Sequence, residues 1–355
     1  MHFEKASFED TLQSKVISKG RCFGCFACVI TCPYASLDFV DGKPYLEKEC
    51  KICGICSQTC PQYGSELSQI EGFVFGRQRK REEDFGIHRR IVVARAEDDE
   101  ILKVCQDGGV VTALLLNALN TGLIDSAVVS CVNEGKPFYP VPKVATTYED
   151  LLACAGTRYS YSPNLLALAE AVKNHFSVAF VGTPCQILAL RRIQMAGLKK
   201  YTLRLKFLIG LMCSESFAYE GLMESHIQKK LGINLADVEK INIKGKMIVT
   251  LRNGLVQTIP LKELKQYSRE SCGFCGDFSS ELADVSAGGL GLNGWTFTVI
   301  RTEKGEELFS GAEKAGIVKT RSVDEEPSAL SLLRKLSQKK RERSTSPLES
   351  DNRNQ

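Results

Sequence analysis

Cys22, Cys25, Cys28 and Cys32, followed by Pro33, spell C-x2-C-x2-C-x3-C-P. The run returns as Cys50, Cys53, Cys56 and Cys60, followed by Pro61, an internal repeat with a period of 28 residues. Thiolates at this spacing are the ligand pattern of a two-cluster [4Fe-4S] ferredoxin segment. Three closely spaced sulfurs meet three corners of one cubane, and the fourth reaches the neighbouring cluster. On that rule Cys22, Cys25, Cys28 and Cys60 hold one cluster, and Cys50, Cys53, Cys56 and Cys32 hold the other. The small residues Gly24, Ala27 and Gly54 let backbone N–H groups approach the sulfurs. Structural zinc is the competing reading, but eight cysteines in two such repeats outrun any common zinc pattern. Two adjacent clusters form a short wire for single electrons, without saying what feeds it.

Seven of the 15 cysteines remain. Cys185 sits in VGTPC, where a strand gives way to a helix; Cys213 ends the next strand; Cys272 and Cys275 form a C-x2-C. Loops at strand ends are where a doubly wound fold gathers its site residues. By spacing alone these four are a third [4Fe-4S] ligand set, buried free thiols or a zinc site. Cys105, Cys131 and Cys154 lack a pattern and read as ordinary, mostly buried cysteines. Asp107-Gly108-Gly109 opens into the helix VVTALLLNAL, which presents backbone N–H groups at a dipole's positive end and suits a pyrophosphate. Residues 155–164, AGTRYSYSPN, add hydroxyls, a guanidinium and a helix start. Gly289, Gly291 and Gly294 spell G-x-G-x-x-G, but a strand follows where a dinucleotide fingerprint needs a helix, so no Rossmann site is assigned there.

The elements that must position these groups alternate. Predicted strands cover Ile91–Ala96, Ser126–Ser130, Ser177–Val181, Leu203–Leu211 and Trp295–Arg301. Predicted helices cover Gly109–Thr121, Ser162–Asn174, Pro184–Ala196 and Phe217–Leu231. This alternation argues for an α/β domain from about residue 91 onward. Lys246–Arg252 and Leu255–Pro260 read as a hairpin turning at Asn253-Gly254, and Leu37–Leu46 as a short hairpin turning at Asp41-Gly42. The expected class is α+β/α/β: a small two-cluster ferredoxin-like domain over 1–75, a charged linker over 76–90, a larger mixed α/β domain over 91–320, and a basic polar tail over 321–355 with a helix at Ser328–Lys339.

No run of about 18 uncharged apolar residues spans a bilayer, and MHFEKASFED is not a secretory signal, so a cytoplasmic protein is expected. A net charge of +4 over 355 residues gives no argument for nucleic acid. The basic stretches at Arg77–Arg90 and Arg334–Arg343 read as a solvated linker and a frayed tail, with docking of an acidic partner or membrane surface as the alternative.

Taken together, residues 107–125, 155–164, 182–192, 211–217, 272–291 and 294–308 resemble the beta subunit of coenzyme F420 hydrogenase/dehydrogenase. With the cysteine repeat in front, the arrangement looks most like the F subunit of archaeal F420H2 dehydrogenase complexes. The resemblance implies a bound FAD, a third [4Fe-4S] cluster held by Cys185, Cys213, Cys272 and Cys275, and a docking face for coenzyme F420 as substrate. It carries over Gly108, Gly109, Thr112, Thr157, Arg158, Tyr159 and Tyr161 as FAD contacts. Relatives commonly place Ser and Lys where Thr157 and Arg158 stand, changes that keep the hydroxyl and the charge.

The implied activity is oxidation of F420H2: a hydride passes from the deazaflavin to the flavin, and electrons leave singly through the clusters to a membrane quinone or methanophenazine oxidoreductase complex. No catalytic base is assigned. Other complex subunits are the expected partners, with peripheral placement at the cytoplasmic face of the membrane. The alternatives are a beta subunit of an F420-reducing hydrogenase or formate dehydrogenase running in reverse, and a polyferredoxin-like carrier without flavin.

Overall fold

The computed structural model describes residues 4–64 and 66–345. A π-helical segment, Glu9–Ile17, precedes the cysteine repeat, which folds as helix α1 (Ala27–Thr31), strands β1 (Leu37–Val40) and β2 (Lys43–Leu46), and helices α2 (Ile55–Thr59) and α3 (Leu67–Phe75). The sequence repeat is also a backbone repeat. Gly24 and Ile52 both adopt left-handed φ, 62° and 52°, and so do Phe26 and Gly54, at 61° and 72°. One member of each pair is not glycine, so the loop imposes the turn despite a cost of about 1 kcal/mol. Thr31 and Thr59, 28 residues apart, meet hydroxyl to hydroxyl at 3.1 Å. The expected hairpin is present, with Asp41 and Gly42 both at positive φ as a two-residue turn requires.

The larger unit runs β3 (Arg90–Ala96), α4 (Asp99–Val104), α5 (Val110–Asn120), β4 (Ser126–Asn133), β5 (Lys136–Ala145), α6 (Tyr148–Ala153), α7 (Asn164–Asn174), β6 (Val178–Gly182), α8 (Pro184–Met195), α9 (Lys199–Thr202) and β7 (Leu205–Leu211). A second π-helical segment, Glu220–Lys230, precedes β8 (Val238–Ile243), β9 (Lys246–Leu251), β10 (Val256–Pro260) and α10 (Leu261–Leu264). Strands β11 (Val285–Gly288) and β12 (Thr296–Ile300), helix α11 (Glu303–Lys314), strand β13 (Val318–Arg321) and helix α12 (Pro327–Thr345) follow.

Eight strands form one mixed sheet in the order β13-β3-β12-β11-β7-β6-β4-β5. Strands β11, β7, β6 and β4 are mutually parallel, and antiparallel pairs flank them. Alternation along the buried strands divides the core. Ala179 and Val181 pack with α5 and α11, whereas Val178 and Phe180 pack with α7 and α8. Both faces are thus covered, as central parallel strands require. Strand β5 escapes a reading by periodicity because Pro137, Pro140 and Pro142 interrupt it; it lies at the sheet edge, where proline removes no needed ladder bond. Strands β8–β10 form a separate antiparallel sheet over the π-helical segment.

Two charged stretches differ from expectation. The stretch over 76–90 is anchored rather than solvated: Phe85 and Ile87 are buried, and their carbonyls accept from Arg301 Nη1 at 3.0 Å. Arg79 pairs with Glu71 and with Glu281, joining the cysteine-repeat segment to the larger unit. The basic tail is not frayed over its described length. Helix α12 extends to Thr345 and buries Ala329, Leu333, Ser337 and Lys340 along one face. It packs with Val93, Phe297 and Val299 on the sheet face left open by α7 and α8. The remainder of the expected tail, 346–355, lies outside the described residues.

Candidate functional site

Turns at the start of α1 and α2 bring the repeat's cysteines around two cavities. Cys22, Cys25, Cys28 and Cys60 line one of about 360 Å³; Cys32, Cys50, Cys53 and Cys56 line the other, of about 330 Å³. Each cavity is lined by three cysteines of one run and the fourth of the other. Backbone N–H groups of Gly24, Ser36, Ile52 and Gln62 donate at 3.4 Å to the sulfurs of Cys22, Cys32, Cys50 and Cys60. Such bonds stabilise negative sulfur.

Tetrahedral zinc holds thiolates about 2.3 Å away, drawing its ligands tightly together. Among the described residues, no three His, Cys, Asp or Glu side chains close on a single ion in this way. The sulfurs ring cavities instead. Burial pushes the Cys56 and Cys60 thiols up to about 12, and those of Cys25 and Cys28 well above their usual range. A coordinating cation reverses that logic by deprotonating the thiol outright.

Cys185 opens α8 behind a Thr183–Gln186 capping box, Cys213 follows β7, and Cys272 and Cys275 lie in the turn at Glu270–Phe274 and its cap. The fold brings these four together: Cys275, Cys213 and Cys272 all raise the cost of ionising Cys185. Burial is the larger cause, pushing Cys185 up to about 12 and Cys213 up to about 11. Ser216 N donates to Cys272 Sγ at 3.4 Å. Lys340 of α12 donates to the Cys213 carbonyl at 2.5 Å, a residue no spacing rule in the sequence marked.

The three sets are neighbours. Cys25 is close enough to Cys185, and Cys28 to Cys56, for their charges to interact. Tyr161 lies beside Cys185 and Cys25, with the Arg269 guanidinium 4.1 Å from its ring centre. Its hydroxyl forms no well-aligned hydrogen bond. Arg269 also donates to the Phe23 carbonyl at 2.8 Å, and Arg192 to the Gln58 carbonyl at 2.8 Å. The cysteine repeat is therefore seated firmly on the larger unit.

The glycine turn and the 155–164 loop approach each other. A Cβ on Gly156 would touch the Val104 carbonyl, and Tyr159 faces Asp107. Gly108 has a role in the fold itself: a Cβ there would lie 2.7 Å from the Ala94 carbonyl and 2.8 Å from Thr296 N. Gly109 supplies a positive φ of 71° as N-cap of α5, whose first turn receives no side-chain cap. Thr112 is half-buried in that turn, while Thr157 is exposed.

The buried polar atoms Ser130 Oγ, Arg158 Nε and Ser160 Oγ have no well-aligned hydrogen bond. Buried polar groups are normally satisfied, so this orphaned set fits a polar ligand such as FAD. Arg158 Nη2 donates to the Ala155 carbonyl at 3.0 Å, and strand β8 reaches the turn before α5 through Lys240, which donates to the Cys105 carbonyl at 3.0 Å. Of the unpatterned cysteines, Cys105 and Cys154 are buried as expected, while Cys131 is half-buried beside Cys154.

Residues 91–169 match the N-terminal model, and 176–326 the C-terminal model, of "Coenzyme F420 hydrogenase/dehydrogenase, beta subunit". The chain is 42% identical over 266 residues to the beta subunit of coenzyme F420 hydrogenase of Methanothermobacter thermautotrophicus, covering 73% of this chain and 93% of that protein. It is 31% identical over 311 residues to the F subunit of the F(420)H(2) dehydrogenase of Methanosarcina mazei, covering 83% of each. It is 37% identical over 323 residues to coenzyme F420-dependent sulfite reductase of Methanocaldococcus jannaschii, covering 86% of this chain and 48% of that protein. A chain in the structure of the F420-reducing [NiFe] hydrogenase complex from Methanosarcina barkeri superposes with a TM-score of 0.71 at 36% identity, covering 75% of this chain and 93% of that one. Residues 1–90, with the cysteine repeat, lie outside both family matches. By its sequence and by its fold, this chain belongs to the family of coenzyme F420 hydrogenase/dehydrogenase beta subunits.

Proposed function

We propose that the chain is the F420H2-oxidising electron-input subunit of a membrane-bound oxidoreductase complex, with FAD between the glycine turn before α5 and the 155–164 loop and [4Fe-4S] clusters in all three cysteine sets. The observation that carries the reading is the contiguity of those sets: Cys185 neighbours Cys25, and Cys28 neighbours Cys56. When bound, FAD supplies the conversion of a hydride's two electrons into single electrons.

The chain's own residues supply position and charge. Arg158 and the uncapped first turn of α5 face anionic ligand groups with fixed positive ends. Ser130 and Ser160 offer buried hydroxyls that make no well-aligned hydrogen bond within the protein. Backbone N–H groups directed at the sulfurs stabilise thiolate ligands. In this reading the ferredoxin-like domain covers 1–75 and the flavin and third-cluster domain 91–320. Among the described residues no helix is long and apolar enough to cross a membrane, so attachment there falls to partner subunits.

A second reading has specific support. The hydrogenase beta chain matches at 42% and the sulfite reductase over 86% of this chain, so the same input module could run in reverse or feed another acceptor. The test is iron and flavin quantification on anaerobically purified full chain, followed by F420H2 oxidation with an artificial acceptor. About twelve irons, one FAD per chain and recovery of oxidised coenzyme are expected. Iron-sulfur colour without flavin or turnover would leave only an electron carrier, and a preparation holding zinc would end the scheme. Subunits co-purifying with the native chain separate the acceptors.

A further inference from the structure

We infer that Lys340 is a positioning residue for the third cysteine set, and that its ammonium raises the reduction potential of the group held there. The inference rests on the third-cluster reading above. Lys340 is 5% exposed and donates from Nζ to the Cys213 carbonyl at 2.5 Å. One turn later, Arg343 donates to the carbonyls of Ser214 at 3.2 Å and Cys272 at 3.1 Å. Two cations of one helix therefore grip the backbones of two proposed ligands and leave the sulfurs free.

Lysine is rarely this buried without a partner for its charge. A carbonyl oxygen satisfies the ammonium's hydrogen but does not neutralise it, and among the described residues no carboxylate forms an ion pair with Lys340. The counter-charge on offer is chiefly the thiolate set itself, with Cys275 and Cys213 acting on the ammonium more strongly than Asp277 does. A [4Fe-4S] core with four thiolates is a net anion, and reduction adds a further negative charge. A fixed cation nearby, in a low-dielectric interior, favours the reduced state. Leu333 and Ser337, both fully buried earlier in the helix, hold it so that the charge cannot swing away.

The experiment uses the anaerobically purified full chain, with iron counting and EPR-monitored potentiometry at one fixed pH. K340M keeps the length and removes the charge; K340R keeps the charge. K340M is expected to retain about twelve irons and to lower the third group's reduction equilibrium constant at least tenfold, about 59 mV for one electron. The other two midpoints stay in place, and K340R restores the wild-type value. An unmoved midpoint in a twelve-iron K340M overturns the inference. If K340M instead loses about four irons, recovery of iron and midpoint in K340R supports it, and persistent loss in K340R sinks it. A wild-type chain with only eight irons removes the third-cluster reading and this inference with it, an outcome the iron count separates from an unmoved midpoint.

Discussion

The Arg79 guanidinium sits 2.5 Å from the Glu281 carboxylate, in contact with Glu71 on its other side. Glu71 and Glu281 are each 3% exposed, and Arg341 of α12 reaches Glu281 at 2.7 Å. One buried group thus ties together the cysteine-repeat segment, the stretch that follows it, the loop before β11 and the C-terminal helix. Breaking a buried pair leaves an uncompensated charge, which costs about 3–5 kcal/mol. Glu281→Ala should lower stability by that order in anaerobic denaturant titration. A midpoint unchanged from wild type would show that solvent already compensates these charges.

The cysteine repeat should not unfold independently. Phe23, Ala27 and Ile70 share one apolar cluster with Leu168, Leu190 and Leu208 of the larger unit. Calorimetry or denaturant titration monitored by both cluster absorbance and far-UV circular dichroism should give coincident transitions. Two separated transitions would contradict a shared core.

Removal of one proposed ligand should be selective. Cys185→Ser is expected to lower iron by about four per chain while leaving the two repeat clusters. Cys56→Ser should remove a different four and leave the third set intact. Equal loss of all iron from both variants would mean that the sets are not separate sites.

Arg158→Gln tests the flavin reading. A charge-assisted hydrogen bond contributes roughly 1.5–3 kcal/mol, so flavin affinity should weaken on the order of tenfold to a hundredfold with iron unchanged. Full flavin retention would place the anion elsewhere.

Acid stability has a traceable local component. Two hydrogen bonds from Arg77, at 2.6 and 2.7 Å, hold the Glu83 carboxyl down at about 2, assisted by Lys80 N. A lowered carboxylate stabilises the fold above its unfolded value, about 4.3, and that contribution fades as pH falls toward 2. The stability difference between wild type and Glu83→Gln should therefore be constant above about pH 5 and shrink below it. A difference that grows on acidification would refute the assignment.

Local chemistry made much of this protein legible. The 28-residue cysteine period requires no tertiary knowledge, because the ligands of each run lie within a few residues and the backbone repeats with them. Alternating apolar runs likewise marked β3, β4, β6 and β7 and the helices between them, since periodicity is a local consequence of burial. Charge was the misleading signal. Arg79, Lys340, Arg341 and Arg343 look solvated in a linear chain, but the fold gives them buried carboxylates and backbone carbonyls.

The amino-acid order by itself determined which thiols belong to each run, where β3, β4, β6, β7 and β12 run, and which family the chain resembles. Only the folded chain decided that Cys185, Cys213, Cys272 and Cys275 converge, that Cys25 neighbours Cys185, and that α12 closes the site with a lysine. The physical reason is sequence separation. These contacts join residues far apart in the chain, and their geometry is set by strand order in one mixed sheet, which no local period encodes.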